Sequence, residues 1–159
     1  MKIKREKFQT FINCTPTEDT ATYEVLGEDL EELSVEMGAN VTKKSNILGK
    51  STVNIGSYDK SASVTPYIAD KGSALFTYLK KIIDDELLLD DLKTDIVNVD
   101  VFGEISGSAY PAIREDVVIE VTSHGGNTDG YQIPFKIHFC GNRTKGTFDP
   151  TTKKFTASA

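Results

Sequence analysis

The chain has 159 residues, with 18 basic and 24 acidic side chains and a formal net charge of −6. This length predicts a single domain that spans residues 1–159 and forms its own core. The acidic balance argues against a protein that grips duplex nucleic acid, and no apolar run approaches the ~20 residues that a transmembrane helix needs.

The amino-terminal segment is basic, but no apolar run follows it, so we expect no signal peptide. The protein is therefore expected to be made and kept in the cytoplasm, unless a larger assembly carries it out. The two cysteines, Cys14 and Cys140, allow at most one disulfide, and the expectation is two free thiols in a reducing compartment.

Alternating apolar and polar residues indicate β-structure in the first half of the chain. Short strands are predicted at Thr20–Leu26, Leu33–Met37, Ser51–Ile55 and Ser61–Ile68. The segment Gly38–Lys50 shows no firm periodicity and is predicted to be a long inter-strand loop. A loop of that length in a small domain is usually functional or mobile.

One segment has helical periodicity. Its apolar stripe comprises Leu75, Tyr78, Leu79, Ile82 and Ile83. Asp70 or Ser73 is predicted to cap the start of this helix, and its end is predicted near Asp84. The residues that follow, 84–91, are acidic with three leucines in the middle.

The second half of the chain contains the strongest strand patterns. Strands are predicted at Asp95–Ile105, Val117–Thr122 and Tyr131–Cys140. Pro134 lacks an amide donor and should lie where no ladder bond is needed, and Gly125–Gly130 should close a hairpin. The predicted fold is mainly β, a β-sandwich or barrel with one flanking α-helix.

Few residues suggest chemistry. His138 and Cys140 share a strand face, and Cys14 would add a third zinc ligand, but no Cys-x-x-Cys or paired-histidine spacing supports a metal site. Gly49-Lys-Ser-Thr52 lacks the earlier glycine of a phosphate loop, and no Gly-x-Ser-x-Gly elbow occurs. We therefore predict no catalytic residue, metal or cofactor, and a protein that is not an enzyme.

Several segments in order resemble one protein family. They are Ala109–Val121, Gly125-Gly126 and Gly141–Thr156, with its Lys-Gly-Thr-Phe turn and final Phe-Thr strand. Together they resemble the major tail tube proteins of long, non-contractile bacteriophage tails. In the first half, Tyr23–Leu33 is similar to the opening hairpin of that family, with its turn at Leu26-Gly-Glu-Asp. Gly38–Lys50 takes the place of its long loop, and Tyr67 and a helix over Gly72–Ile83 also match.

The resemblance implies homo-hexameric rings that stack into a hollow tube, with strands of each subunit joining a shared barrel. DNA would pass through the lumen without specific binding. Implied partners are the tape measure, tail terminator and baseplate proteins. The implied location is the virion tail, assembled in the cytoplasm of the bacterial host.

Two site hypotheses follow from the charges. Alternation in two early strands places Glu24, Glu32 and Glu36 on a polar face, which lines the lumen or is an ordinary solvent face. A contact with a neighbouring subunit or ring is predicted between two clusters of opposite charge, the alternative being a flexible surface loop. The clusters are Lys43, Lys44 and Lys50 on the loop, and Asp84, Asp85, Asp90 and Asp91 after the helix.

Two other functions stay open at this point. The chain is alternatively an inner tube subunit of a contractile tail or of a secretion or injection system. A small β-sandwich binding module would need exposed aromatic residues in a groove, and the chain has no tryptophan.

Overall fold

A computed structural model describes residues 1–158 of the chain. Those residues form one α-helix, α1 (Ala74–Asp85), two short 3-10 turns (Arg5–Lys7 and Leu89–Leu92) and twelve strands. The strands are β1 (Phe8–Asn13), β2 (Tyr23–Leu26), β3 (Val35–Glu36), β4 (Ala39–Ser45), β5 (Ser51–Tyr58), β6 (Ser61–Val64), β7 (Lys93–Asp100), β8 (Tyr110–Val121), β9 (Gly125–Asn127), β10 (Gly130–Gln132), β11 (Phe135–Asp149) and β12 (Lys154–Ala157). The prediction of a mainly β fold with one helix is confirmed.

Eight strands form one antiparallel sheet that curls into half of a barrel. Its order is β2-β1-β7-β8-β11-β6-β3, and β12 pairs with the far end of β11. The ladder between β8 and β11 is interrupted between Phe139 and Arg143, where an irregularity bends β11. Two small hairpins, β4-β5 and β9-β10, lie outside the main sheet.

Hydrophobic cores lie on both faces of the sheet. Helix α1 covers one face, where Leu75, Leu79 and Ile82 are buried together with Ile12 and Ile96. On the other face a smaller core contains Phe11, Tyr23, Val97, Val99, Ala112 and Phe148. Successive residues of the central strands β1 and β7 thus belong to different cores, because side chains alternate across a strand.

A buried carboxylate organises one end of the smaller core. Asp95 accepts hydrogen bonds from Tyr23 Oη at 2.5 Å and from Asn13 Nδ2 at 3.0 Å. Arg114 Nε lies 3.3 Å from the same carboxylate. Burial and the bond to Asp95 raise the pKa of Tyr23. The phenol therefore stays protonated and keeps donating to Asp95 over the physiological pH range.

The helix begins and ends close to the predicted residues. Ser73 is its N-cap and accepts a hydrogen bond from Phe76 N at 3.4 Å, which confirms one of the two predicted caps. Glu86 ends the helix in a left-handed conformation, with φ of 47°. The helix therefore runs two residues further than the Ile83 expected from the family resemblance, and one residue past Asp84.

The strands predicted in the second half are present with shifted ends, except that Tyr131–Cys140 is not one strand but is divided between β10 and β11, which belong to different sheets. β7 stops at Asp100 instead of Ile105, and β8 begins at Tyr110, well before Val117. Pro134 lies between β10 and β11, outside both ladders, as its missing amide requires. The hairpin predicted at Gly125–Gly130 is present as β9-β10.

In the first half one strand was not predicted and two predictions are wrong. β1 was not expected, because both of its faces are buried and its residues show no alternation. The hairpin expected at Tyr23–Leu33 does not form, since β2 pairs with β1 and the chain leaves the sheet after Leu26. Gly38–Lys50 is not a loop, because strand β4 occupies most of it.

Candidate assembly surface

A long hairpin, β4-β5, stands apart from the main sheet. Seven residues of β4 pair with β5, from Ala39 opposite Tyr58 to Ser45 opposite Ser51. Every residue of both strands is exposed. At ~3.3 Å per residue the hairpin reaches about 25 Å from its base. An isolated two-stranded hairpin is only marginally stable in water, so this one is expected to need a partner.

The hairpin has one apolar and one polar face. Cross-strand partners share a face, so Val41, Val53 and Ile55 lie together, and each is more than half exposed. The opposite face is polar and contains Asn40, Thr42, Lys44, Thr52 and Asn54. An exposed apolar face of this kind marks an interaction surface.

The base of the hairpin is anchored to the main sheet. Asp59 N donates to Gly38 O at 2.9 Å, and Gly38 has φ of +55°. The next residue, Lys60, places Nζ 2.6 Å from both carboxylate oxygens of Glu115, whose residue is 2% exposed. Arg143 Nε lies 3.3 Å from the same carboxylate. This buried ion network fixes the point at which the hairpin leaves the sheet.

The tip of the hairpin, Asn46–Lys50, is an ordered turn. Asn46 Oδ1 accepts hydrogen bonds from Leu48 N and Lys50 N, each at 3.0 Å. Gly49 supplies the left-handed conformation that closes the turn, with φ of +77°. Ile47 and Leu48 point into solvent and are almost wholly exposed.

The predicted contact clusters lie on separate parts of the chain. Lys43 and Lys44 are neighbours on β4 and so project from opposite faces of the hairpin, and Lys50 follows the tip. Within residues 1–158 none of these lysines forms an ion pair. Their contact with a second copy stays a prediction.

The acidic residues flank the end of the helix. Asp84 and Asp85 close α1, whereas Asp90 and Asp91 lie in the 3-10 turn that follows. Asp84 is paired with Lys80 at 2.7 Å, and Asp90 with Lys93 at 2.9 Å. All four side chains are exposed.

Glu24 does not lie on a plain polar face, as its strand pattern had suggested. Its carboxylate accepts hydrogen bonds from Ser73 Oγ at 2.6 Å, Ala74 N at 2.6 Å and Leu75 N at 3.3 Å. Val25 instead points outward and is 38% exposed. The predicted polar face is therefore wrong at β2, because pairing with β1 places Glu24 opposite Ile12, on the sheet face that α1 covers.

Glu32 and Glu36 are exposed. Glu36 lies on β3, at the opposite edge of the sheet from the strand that carries Glu24. The assignment of all three glutamates to a lumen-facing surface stays a prediction.

Sequence reasoning missed the apolar face of the hairpin. Two signals were present: the alternation of Val53, Asn54 and Ile55, and the lack of any acidic residue over positions 39–58 of an acidic chain. The alternation of the preceding strand, β4, is harder to recognise because Lys43 occupies a position on its apolar face.

The residues considered for zinc do not converge. Cys14 is buried and Cys140 exposed, and both thiols are free. Burial raises the pKa of the Cys14 thiol to about 12. His138 Nε2 lies 3.4 Å from Glu120 Oε2. Over residues 1–158 no three histidine, cysteine or acidic side chains are grouped as metal ligands would be. In the same range, no helix has the length and apolar character needed to span a bilayer.

Comparison with known proteins gives a match at the level of fold. No family model and no curated protein sequence matches the chain. One solved structure that does match is the sheath/tube terminator of PVC, an extracellular contractile injection system, in its extended state. The TM-score is 0.53 with 12% sequence identity, over 91% of this chain and 96% of that one. The chain is thus similar in fold to a component of a contractile injection system, and its architecture is tail-tube-like.

Proposed function

We propose that this protein is a non-catalytic structural subunit of a phage-tail-like tube, and that copies of it join through the β4-β5 hairpin. The observation that carries the proposal is the hairpin itself, which is exposed along both strands and has an uncovered apolar face. The fold similarity to a component of an injection system supports the same reading.

Closure of a ring would pair the strand edges that the hairpin leaves unpaired. Within residues 1–158, β4 and β5 pair only with each other, so each has one edge of unpaired backbone groups. Such edges template pairing with another chain, and a closed barrel removes them. Hairpins of neighbouring copies would pair edge to edge, in head-to-tail contacts that close a ring. Six copies per ring is the number implied by the family resemblance.

In such a barrel the apolar face would lie against the subunit bodies and the polar face would line the lumen. The lumen would then present Asn40, Thr42, Thr52 and Asn54, with Lys44 as the charged residue of the hairpin's polar face. Amides and hydroxyls hold phosphate weakly, whereas each additional basic contact adds a salt-dependent hold. This surface suits a conduit through which DNA slides during ejection.

The remaining parts of the proposal follow from the resemblance. The subunit would be assembled in the bacterial cytoplasm and located in the tail of the virion. Its partners would be further copies of itself, with tape measure, terminator and baseplate proteins at defined positions.

The second candidate function is a terminator or tube subunit of a contractile system. The specific observation in its favour is the solved sheath/tube terminator, because the likeness covers 96% of that chain. A tube subunit is expected to stack rings without limit, whereas a terminator is expected to stop at a single ring.

The test is electron microscopy with sedimentation velocity over a concentration series. Hollow tubes support the tube subunit, and isolated rings support the terminator. Val53→Thr with Ile55→Thr keeps β-propensity but removes the apolar face, and is expected to abolish assembly. The matched control is Thr52→Ser with Asn54→Ser on the polar face, which is expected to assemble like wild type. A wild-type chain that stays monomeric at its highest soluble concentration would contradict the proposal, as would unimpaired assembly of the threonine variant.

A further inference from the structure

The hairpin tip and the surface that follows helix α1 are complementary to one another. We infer that the tip of one copy docks on the acidic leucine patch of a second copy, which we define as Asp85, Glu86, Leu88, Leu89 and Asp91. The inference deepens the proposed function and rests on it, since it names the surface that the hairpin meets.

The tip displays apolar side chains on a fixed backbone. Ile47 is fully exposed and Leu48 is 79% exposed, although hydrogen bonds to Asn46 hold the turn in one conformation. An ordered turn that presents adjacent aliphatic side chains to water gains nothing from them within one chain. These side chains are therefore suited to a pocket or patch on another molecule.

The acidic leucine patch displays a second aliphatic pair. Leu88 is 71% and Leu89 85% exposed. Leu89 adopts a left-handed conformation with φ of 53°, which is unfavourable for a bulky residue and natural for glycine. Glycine would adopt this backbone conformation at lower cost. We therefore attribute the role of this position to the leucine side chain, which is available for contact with another copy.

Charge makes the two surfaces specific for each other. The hairpin carries Lys43, Lys44 and Lys50 and no acidic residue. Around the leucine pair, Asp85, Glu86 and Asp91 have no ion-pair partner within residues 1–158. Opposite charges around an apolar contact set its register and exclude other surfaces.

The proposed contact is head-to-tail, because it joins two different surfaces of the same chain. Each copy has one tip and one patch, and the near-complete exposure of Ile47 shows that its own chain does not cover the tip. Docking tip to patch therefore leaves one free tip and one free patch at the ends of any open chain of subunits. Such a heterologous contact closes into a ring or continues along a tube.

The test is chemical crosslinking between two variants of the full chain, both carrying Cys140→Ser to remove the exposed thiol. One variant has Leu48→Cys at the tip, and the other, enlarged by a tag, has Leu89→Cys on the patch. A short bismaleimide is added to the equimolar mixture. The matched control replaces the patch variant with Ser106→Cys, an exposed site in the turn that follows β7, at the other end of that strand from the patch.

We expect heterodimers of the tip and patch variants to exceed the control yield by about tenfold. Lys50→Glu in the tip variant should reduce that yield, and Asp91→Lys in the patch variant should restore it. A yield equal to the control, or crosslinking mainly between two tip variants, would overturn the inference. Rings in wild type without this crosslink would leave the proposed function standing, whereas neither rings nor crosslink would remove both.

Discussion

Replacing Glu24 by glutamine should destabilise the folded monomer, because this carboxylate caps the helix. Glutamine keeps one acceptor oxygen but loses the charge that faces Ser73 Oγ and the first helical amides. Hydrogen bonds to a charged group contribute about 1.5–3 kcal/mol, against about 0.5–1.5 kcal/mol for neutral ones. The helix dipole adds about 0.3–1 kcal/mol for a charge at the N-terminus.

The expected loss for Glu24→Gln is therefore about 1–2 kcal/mol in the free energy of unfolding, and about 2–4 kcal/mol for Glu24→Ala, which removes every acceptor. For a chain of this size 1 kcal/mol corresponds to about 2–4 °C in Tm. Urea denaturation followed by circular dichroism measures the loss directly.

The matched control is Glu32→Gln, since Glu32 is exposed and its side chain makes no hydrogen bond within the described residues. If Glu24→Gln and Glu32→Gln were equally stable to within about 0.3 kcal/mol, the capping argument would be refuted. If the Glu24 side chain served only as a surface charge, as in the lumen hypothesis, the two variants would have the same free energy of unfolding.

Three further results are expected. In the native protein a thiol reagent at pH 8 should modify Cys140 rapidly, while Cys14 reacts only on unfolding, because burial raises its pKa to about 12; rapid modification of both thiols would contradict this. Glu115→Ala should cost about 3–5 kcal/mol in urea denaturation, because the lysine at the hairpin base loses its buried partner; a loss below about 1 kcal/mol would show that the network is not holding the hairpin. Gly38→Ala should lower the free energy of unfolding more than Gly49→Ala does. Both glycines have positive φ, but a Cβ at Gly38 would lie 2.2 Å from a backbone oxygen, whereas a Cβ at Gly49 would meet open space. Equal losses would contradict the close packing at the hairpin base.

The sequence predicts those elements that bury one face. In the run from Ile133 to Ile137 the alternating residues Ile133, Phe135 and Ile137 are buried, so period two was visible. Strand β1 was not predicted because its adjacent apolar residues Phe11 and Ile12 pack into different cores. A central strand covered on both sides has no polar face and therefore no alternation to detect.

The candidate assembly surface was predictable in location but not in structure. Its lysines and the segment Gly38–Lys50 were identified, yet both faces of β4 are in water and no buried residue marks its period. The role of Glu24 required knowledge that β2 lies against the start of α1, a contact between residues 49 apart in sequence. Sequence periodicity carries no information on such pairs.

The two faces of the β4-β5 hairpin constrain how its length can change during evolution. The strands contact the rest of the chain at their base, so adding one residue to each strand would extend the reach by about 3.3 Å without disturbing either core. A residue inserted in one strand alone would shift the register and exchange the apolar and polar faces beyond it. Homologous chains are therefore expected to differ in this hairpin by matched insertions, or by single insertions absorbed at the irregularity between Asn40 and Val41, where the pairing already shifts by one residue.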